Sequence, residues 1–185
     1  YLSSFNYEGI EKEGVLPRHE KMKIYVPHNS WQRELNWKCY TLPELGMDQI
    51  QPERIQRSSG MIRISNTGNW SAKEYLPMAY LENTCAGTGL FWQIEHNGSW
   101  HWEVSDFTNH LYVQLSGPTE QQSHWFKDLK PGDKFVTVPA GVGAVTGDLG
   151  NMAKELTKYR RAIRRENQDN EKLGVIFNDY MNCLW

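Results

Sequence analysis

Leu90-Phe91-Trp92-Gln93-Ile94-Glu95 and Trp100-His101-Trp102-Glu103-Val104, joined through His96-Asn97-Gly98-Ser99, carry the clearest strand signal in the chain. Leu90, Trp92 and Ile94 alternate with other residues in the first arm, as Trp100, Trp102 and Val104 do in the second. That period of two belongs to strands with one face in a core. Asn97-Gly98 alone would close a two-residue primed turn and pair Trp92 with Glu103 and Ile94 with His101, mixing apolar with polar. A longer connection that includes Ser99 pairs Leu90 with Val104, Trp92 with Trp102 and Ile94 with Trp100. It puts six apolar side chains on one face, so this hairpin register is the one expected.

The same grammar runs outward from this stretch. Short segments rich in β-branched and aromatic residues predict strands over Ser30 to Tyr40, Gln51 to Gln56, Met61 to Ser65, Lys73 to Glu82, Gly89 to Glu95, Trp100 to Val104, Leu111 to Leu115 and Lys134 to Val138. Asn66-Thr67-Gly68-Asn69, Asn97-Gly98-Ser99 and Pro131-Gly132-Asp133 supply turns between them. Strands at this spacing predict a mainly β chain, an antiparallel β-sandwich over residues 1–147. After Val145 the period changes. Asp148 can cap a helix, and Leu149, Met152, Leu156, Tyr159 and Ile163 fall on one stripe, so a long helix is expected to about Arg165. Lys158, Arg160, Arg161, Arg164 and Arg165 suit its negative end and read as a solvated helix terminus. The polar stretch Glu166 to Lys172 reads as a loop, which makes 148–173 a helix-and-loop linker. Val175-Ile176-Phe177 is an unalternated apolar run, the mark of a strand buried on both faces in a parallel sheet. Residues 174–185 are therefore expected to begin another domain, with Asn178, Asp179 and Tyr180 at the ligand-bearing end of that strand.

Length and charge bound the function classes. The 185 residues suit one ordinary domain, and 20 Lys+Arg against 22 Asp+Glu leave a net charge of −2, without a basic field to hold nucleic acid. No apolar run approaches the roughly 20 residues that span a bilayer, so neither nucleic acid nor membrane is an expected partner. Three cysteines, Cys39, Cys85 and Cys183, stand far apart and argue against a disulfide scaffold. The six histidines form no HxxxH or HxH pair, and neither a metal nor another cofactor is expected. Gly87-Thr88-Gly89 and Gly141-Val142-Gly143 lack a full phosphate-cradling fingerprint and read as turns and as a loop before the helix.

The eight tryptophans are the unusual element. At about 200 Å² each and about 25 cal/mol/Å², they represent roughly 40 kcal/mol of gross apolar burial, too much to leave mostly in water. Trp37, Trp92 and Trp102 are assigned to the core. Trp31, Trp70 and Trp185 are assigned to the surface, where a tryptophan beside Asn, Asp or Arg can stack on the apolar face of a sugar.

Four segments carry a family resemblance: Tyr1-Leu2-Ser3-Ser4-Phe5, Asn29-Ser30-Trp31-Gln32-Arg33-Glu34-Leu35-Asn36-Trp37, Leu156 to Arg165, and Val175-Ile176-Phe177-Asn178-Asp179-Tyr180-Met181-Asn182-Cys183-Leu184-Trp185. Together they resemble α-galactosidases of glycoside hydrolase family 36 over nearly the whole chain. The resemblance implies part of an N-terminal sandwich of supersandwich type, a linking helix and the first strand of a truncated (β/α)8 barrel. It also implies a parent that hydrolyses terminal α-galactosides with retention, so that a galactoside is the expected partner. In some oligomers of that family, loops reach a neighbouring active site. The two catalytic aspartates of the family have no counterpart here, so the chain is expected to be inactive alone. By position, Asp179 and Tyr180, with Asn182 and Trp185, would line the galactose subsite; Tyr180 stands where many relatives carry Trp. A non-catalytic carbohydrate-binding or structural sandwich is the competing expectation.

Overall fold

The computed structural model describes residues 5–7, 22–47, 60–107 and 110–177. Among these residues nine antiparallel strands make two sheets. They are β1 (Phe5–Tyr7), β2 (Met22–His28), β3 (Asn36–Thr41), β4 (Ile62–Asn66), β5 (Met78–Asn83), β6 (Thr88–Ile94), β7 (Trp100–Phe107), β8 (His110–Ser116) and β9 (Ala140–Thr146). One sheet has the order β1-β8-β7-β4, the other β3-β2-β5-β6-β9. Among the described residues a 3-10 turn at Pro43–Leu45 follows β3, the short helix α1 (Glu120–Ser123) lies between β8 and β9, and α2 (Leu149–Ile163) and α3 (Gln168–Lys172) come after β9.

Alternation explains the layers. Met22, Ile24 and Val26 of β2 point inward with Leu90, Trp92 and Ile94 of β6 and with Trp100, Trp102 and Val104 of β7. They form the core between the sheets. The opposite row of the five-stranded sheet, Met78, Tyr80 and Phe91, packs with Met152 and Leu156 of α2 in a second cluster. Helix on one face and sheet on the other therefore bury both sides of β5 and β6. That is why Met78–Leu81 and Leu90–Trp92 read as continuous buried runs in an antiparallel sheet.

The expected hairpin between residues 90–95 and 100–104 does not form. β6 is paired with β5 and β9, and β7 with β4 and β8, so both hydrogen-bonding edges of each strand are taken. Residues 95–99 instead carry the chain from one sheet to the other. The six apolar side chains that alternation selected do share one core, but across the sandwich rather than along one face. Trp92 meets Trp102 edge to face, with ring centroids 5.3 Å apart and planes at 73°.

Other boundaries move as well. Lys134 to Val138 is not a strand, and the strand that closes the sheet is Ala140–Thr146, through the glycines read as a loop. Those glycines are small because rings lie over them: a Cβ on Gly143 would stand 2.3 Å from Cζ of Phe91, and one on Gly141 2.8 Å from Cε1 of Tyr159. Residues 88–89 likewise open β6 instead of making a turn. β2 went unpredicted, and of the long Ser30 to Tyr40 segment only the last part is strand. Met61 to Ser65 agrees with β4 to within a residue, and Gln51 to Gln56 lies outside the described residues.

Helix α2 covers Leu149–Ile163, and the Asp148 side chain accepts a hydrogen bond from the Asn151 N–H. Met152 and Leu156 are buried, while Ile163 at the end of the stripe is half exposed. Part of Glu166 to Lys172 forms the short helix α3, started by the Asn167 side chain accepting from the Asp169 N–H. Val175, Ile176 and Phe177 are neither strand nor buried: each is at least 83% exposed. A run buried on both faces needs strands beside it, and no described residue pairs with this one.

Candidate functional site

Strand directions sort the connections into two unlike ends. At one end the described links are tight: residues 84–87, where the Asn83 side chain accepts from the N–H groups of Cys85 and Ala86, and residues 147–148 before α2. At the other end emerge the β2–β3 loop (residues 29–35), the β4–β5 loop (67–77), the β6–β7 corner (95–99) and the long β8–β9 connection (117–139). Long loops gathered at one end of a sandwich are the usual carriers of recognition.

Hydrogen bonds tie these loops together. Asn29 donates from its backbone N–H to the Glu74 carbonyl (2.8 Å) and from Nδ2 to the Ala72 carbonyl (2.5 Å), while its Oδ1 accepts from the Leu35 N–H. The Trp100 indole donates to the Ser71 carbonyl at 2.7 Å, and Ser99 Oγ accepts from the Gly68 N–H at 2.9 Å. Helix α2 runs toward the same end and is anchored there by Arg160, whose Nε donates to Gln93 Oε1 at 2.7 Å, and by the Tyr159 hydroxyl donating to Glu95.

Besides a cleft of about 630 Å³ lined in part by Leu35, Leu76 and Arg160, two lie among these loops in the described residues. One, of about 470 Å³, is walled by Trp125, Phe135, Val136 and Val138, with His96 and Asn69 on its rim. Trp125 and Phe135 pack with ring centroids 5.7 Å apart, and the Lys127 ammonium lies 5.5 Å from the centre of the Phe135 ring. The other, of about 520 Å³, is polar and is lined by His28, Arg33, Asn36, Lys38, Tyr40, Glu74 and Tyr75 among others. Both volumes fall in the range of small-ligand pockets.

Tryptophan placement agrees with expectation in most cases. Trp92 and Trp102 are buried, Trp37 is half-buried beside the second cluster, and Trp31 and Trp70 stand 83% and 62% exposed on the tied loops. Trp100, which alternation sets on the same apolar face as Trp102, is buried as well. Asp179, Tyr180, Asn182 and Trp185 lie outside the described residues. Among the described residues no three His, Cys, Asp or Glu side chains are grouped to hold a metal, and Cys39 and Cys85 are free and exposed.

One polar network was invisible in the sequence because it is assembled across three strands. On the outer face of the four-stranded sheet, Ser65 Oγ lies 2.8 Å from His101 Nδ1, His101 Nε2 lies 3.2 Å from Glu103, and the Tyr112 hydroxyl donates to Glu103 at 3.0 Å. Its groups satisfy one another, and it lies on a sheet face rather than among the loops. The displaced pKa values lie elsewhere too. Burial, helped by the Glu82 hydrogen bond, raises the Tyr25 hydroxyl, and burial with the nearby charges of Glu82 and Asp148 pushes Tyr80 up to about 12. The Glu95 hydrogen bond, with some burial, raises Tyr159, and backbone and hydroxyl donors of Thr41 lower Glu44. None of these four groups lines either cleft.

The fold thus defines a two-sheet antiparallel sandwich with a C-terminal helix laid on one sheet. No family model, no curated protein and no solved structure matches the chain.

Proposed function

We propose that the chain is the non-catalytic N-terminal sandwich portion of an α-galactosidase-type glycoside hydrolase, whose catalytic barrel would follow it and seat against the loop-bearing end. The observation that carries this reading is where the apolar exposure falls. Trp31, Leu35, Trp70, Phe126, Leu129 and Val136 are exposed on the loops of the end toward which α2 runs, and the chain beyond α2 continues through exposed Val175, Ile176 and Phe177. Apolar surface gathered at one end and rimmed by polar loops marks an interaction face. The order of sandwich, capped helix and apolar segment is also the order that the family resemblance implies. In the parent, one carboxylate would attack the anomeric carbon while a carboxylic acid protonates the leaving oxygen, through a covalent glycosyl intermediate. Those carboxylates would lie beyond Trp185. This chain would contribute support and, at Asp179 and Tyr180 with Asn182 and Trp185, the edge of the galactose subsite.

The test is activity on an aryl α-galactoside. The purified 185-residue chain should not hydrolyse it above background, whereas the protein extended through the following coding sequence should do so with retention of anomeric configuration. Turnover by the isolated chain, or an extended protein inactive on α-galactosides, refutes the proposal.

A second reading, a carbohydrate-binding sandwich without a catalytic partner, is favoured by Trp31 and Trp70, which stand exposed on loops joined through Asn29. Binding of saccharides by the isolated chain supports it.

A further inference from the structure

The inward row of β2 runs Met22, Ile24, Val26 and then His28, and its neighbour β3 answers with Tyr40, Lys38 and Asn36, since Val26 pairs with Lys38 and His28 with Asn36. The pattern that builds the core therefore turns polar on both strands at the loop-bearing end, and the polar cleft of about 520 Å³ opens there. Departures from binary patterning concentrate where function overrides packing. An inward lysine on an edge strand also guards against edge-to-edge pairing. That accounts for Lys38 alone, not for His28 on a strand paired on both sides, nor for Arg33 brought in by a loop.

We propose that this cleft binds an acidic sugar unit, a hexuronate. Arg33 and Lys38 make no ion pair among the described residues and supply two positive charges against the single carboxylate of Glu74 in the lining. A guanidinium holds a carboxylate through two parallel hydrogen bonds. Glu74 would repel a bare anion, but it accepts hydrogen bonds from hydroxyls, as a sugar presents. Tyr75 gives the cleft an aromatic wall against which the C–H face of a pyranose can lie. The wall is held in place: the Tyr75 and His28 rings lie 5.0 Å apart, and His28 Nε2 is 2.9 Å from the Tyr40 hydroxyl. The loop that carries Arg33 is also tied, with the Arg33 N–H donating to the Ser30 carbonyl at 2.9 Å and the Leu35 N–H donating to Asn29 Oδ1 at its base.

This inference rests on the carbohydrate-binding reading and narrows it; it does not depend on a catalytic domain following. The experiment is an isothermal titration of the 185-residue chain with galacturonate, glucuronate, galactose and inorganic phosphate. Measurements are repeated on Arg33→Gln and Lys38→Gln, with thermal melting to show that each variant folds. The expected result is saturable binding of a uronate, at least tenfold weaker for galactose and for phosphate, and at least tenfold weakened in both variants at unchanged melting temperature. Galactose bound as well as the uronates overturns the acidic preference while leaving a carbohydrate-binding module standing. Phosphate bound as well as the uronates shows a plain anion site and overturns the sugar assignment. No saturable binding, or binding untouched in folded variants, overturns the site. Should Lys38→Gln lower the melting temperature, Arg33→Gln, whose side chain lies on the exposed loop, decides the outcome alone.

Discussion

Replacing Gly143 with alanine separates a glycine needed by packing from a glycine of a flexible loop. In β9 the added Cβ would lie 2.3 Å from Cζ and 2.5 Å from Cε1 of Phe91. Relaxed carbon contacts are about 3.5–4.0 Å, so the ring or the strand must yield by more than 1 Å. Phe91 has little room to do so, being buried with Tyr80, Met152 and Leu156 between the sheet and α2. Overpacking of this kind costs about 1–3 kcal/mol. Against it stands the gain of about 0.4–1 kcal/mol from restricting the unfolded chain. The net expectation is a loss of about 1–2 kcal/mol, or a melting temperature lower by about 2–8 °C for a chain of this size. Urea titration followed by near-ultraviolet circular dichroism measures it. The companion Gly141→Ala should cost less, because the Tyr159 ring above it is half exposed and can move outward. Phe91→Leu combined with Gly143→Ala should cost at least about 1 kcal/mol less than the sum of the single changes, as expected of residues in contact. A more stable Gly143→Ala, or strict additivity with Phe91→Leu, would refute the reasoning.

Two further outcomes follow from named contacts. Asp148→Ala removes the side-chain acceptor that bonds the Asn151 N–H at 3.1 Å and should cost about 1 kcal/mol of unfolding free energy, with Asp148→Asn recovering most of it; equal stability of the alanine variant rejects the cap. Tyr80, with its pKa pushed up to about 12 in the folded chain against about 10 when unfolded, favours the folded state fully below pH 10, and that contribution is lost as pH rises from 10 through 12. The urea midpoint should therefore fall over that interval, and less steeply in Tyr80→Phe; parallel profiles for the two proteins would contradict it.

How far the candidate site was legible depends on the kind of signal it leaves. Exposed Trp31 and Trp70 were assignable from composition and neighbours. The polar cleft was not, because its parts come from residues 28–40 and 74–75, and only strand pairing sets Lys38 beside Val26 and Asn36 beside His28. The Ser65–His101–Glu103 network was hidden for the same reason.

For the fold, strand character over much of the chain, the capped helix and one part of the core are legible in the residues alone. Period-two alternation selected Leu90, Trp92, Ile94, Trp100, Trp102 and Val104, and all six are buried in one cluster. A period of two states which side chains share a face; it does not state what lies opposite them. Tertiary structure alone decided that Trp92 meets Trp102 across the sandwich, since β5 and β9 take both edges of β6 while β4 and β8 take both edges of β7. It also decided that Gly141 and Gly143 belong to a strand. Local propensity penalises glycine there, whereas the rings of Tyr159 and Phe91 leave no space for a Cβ, and packing between distant segments outweighs a preference of about 1 kcal/mol per residue.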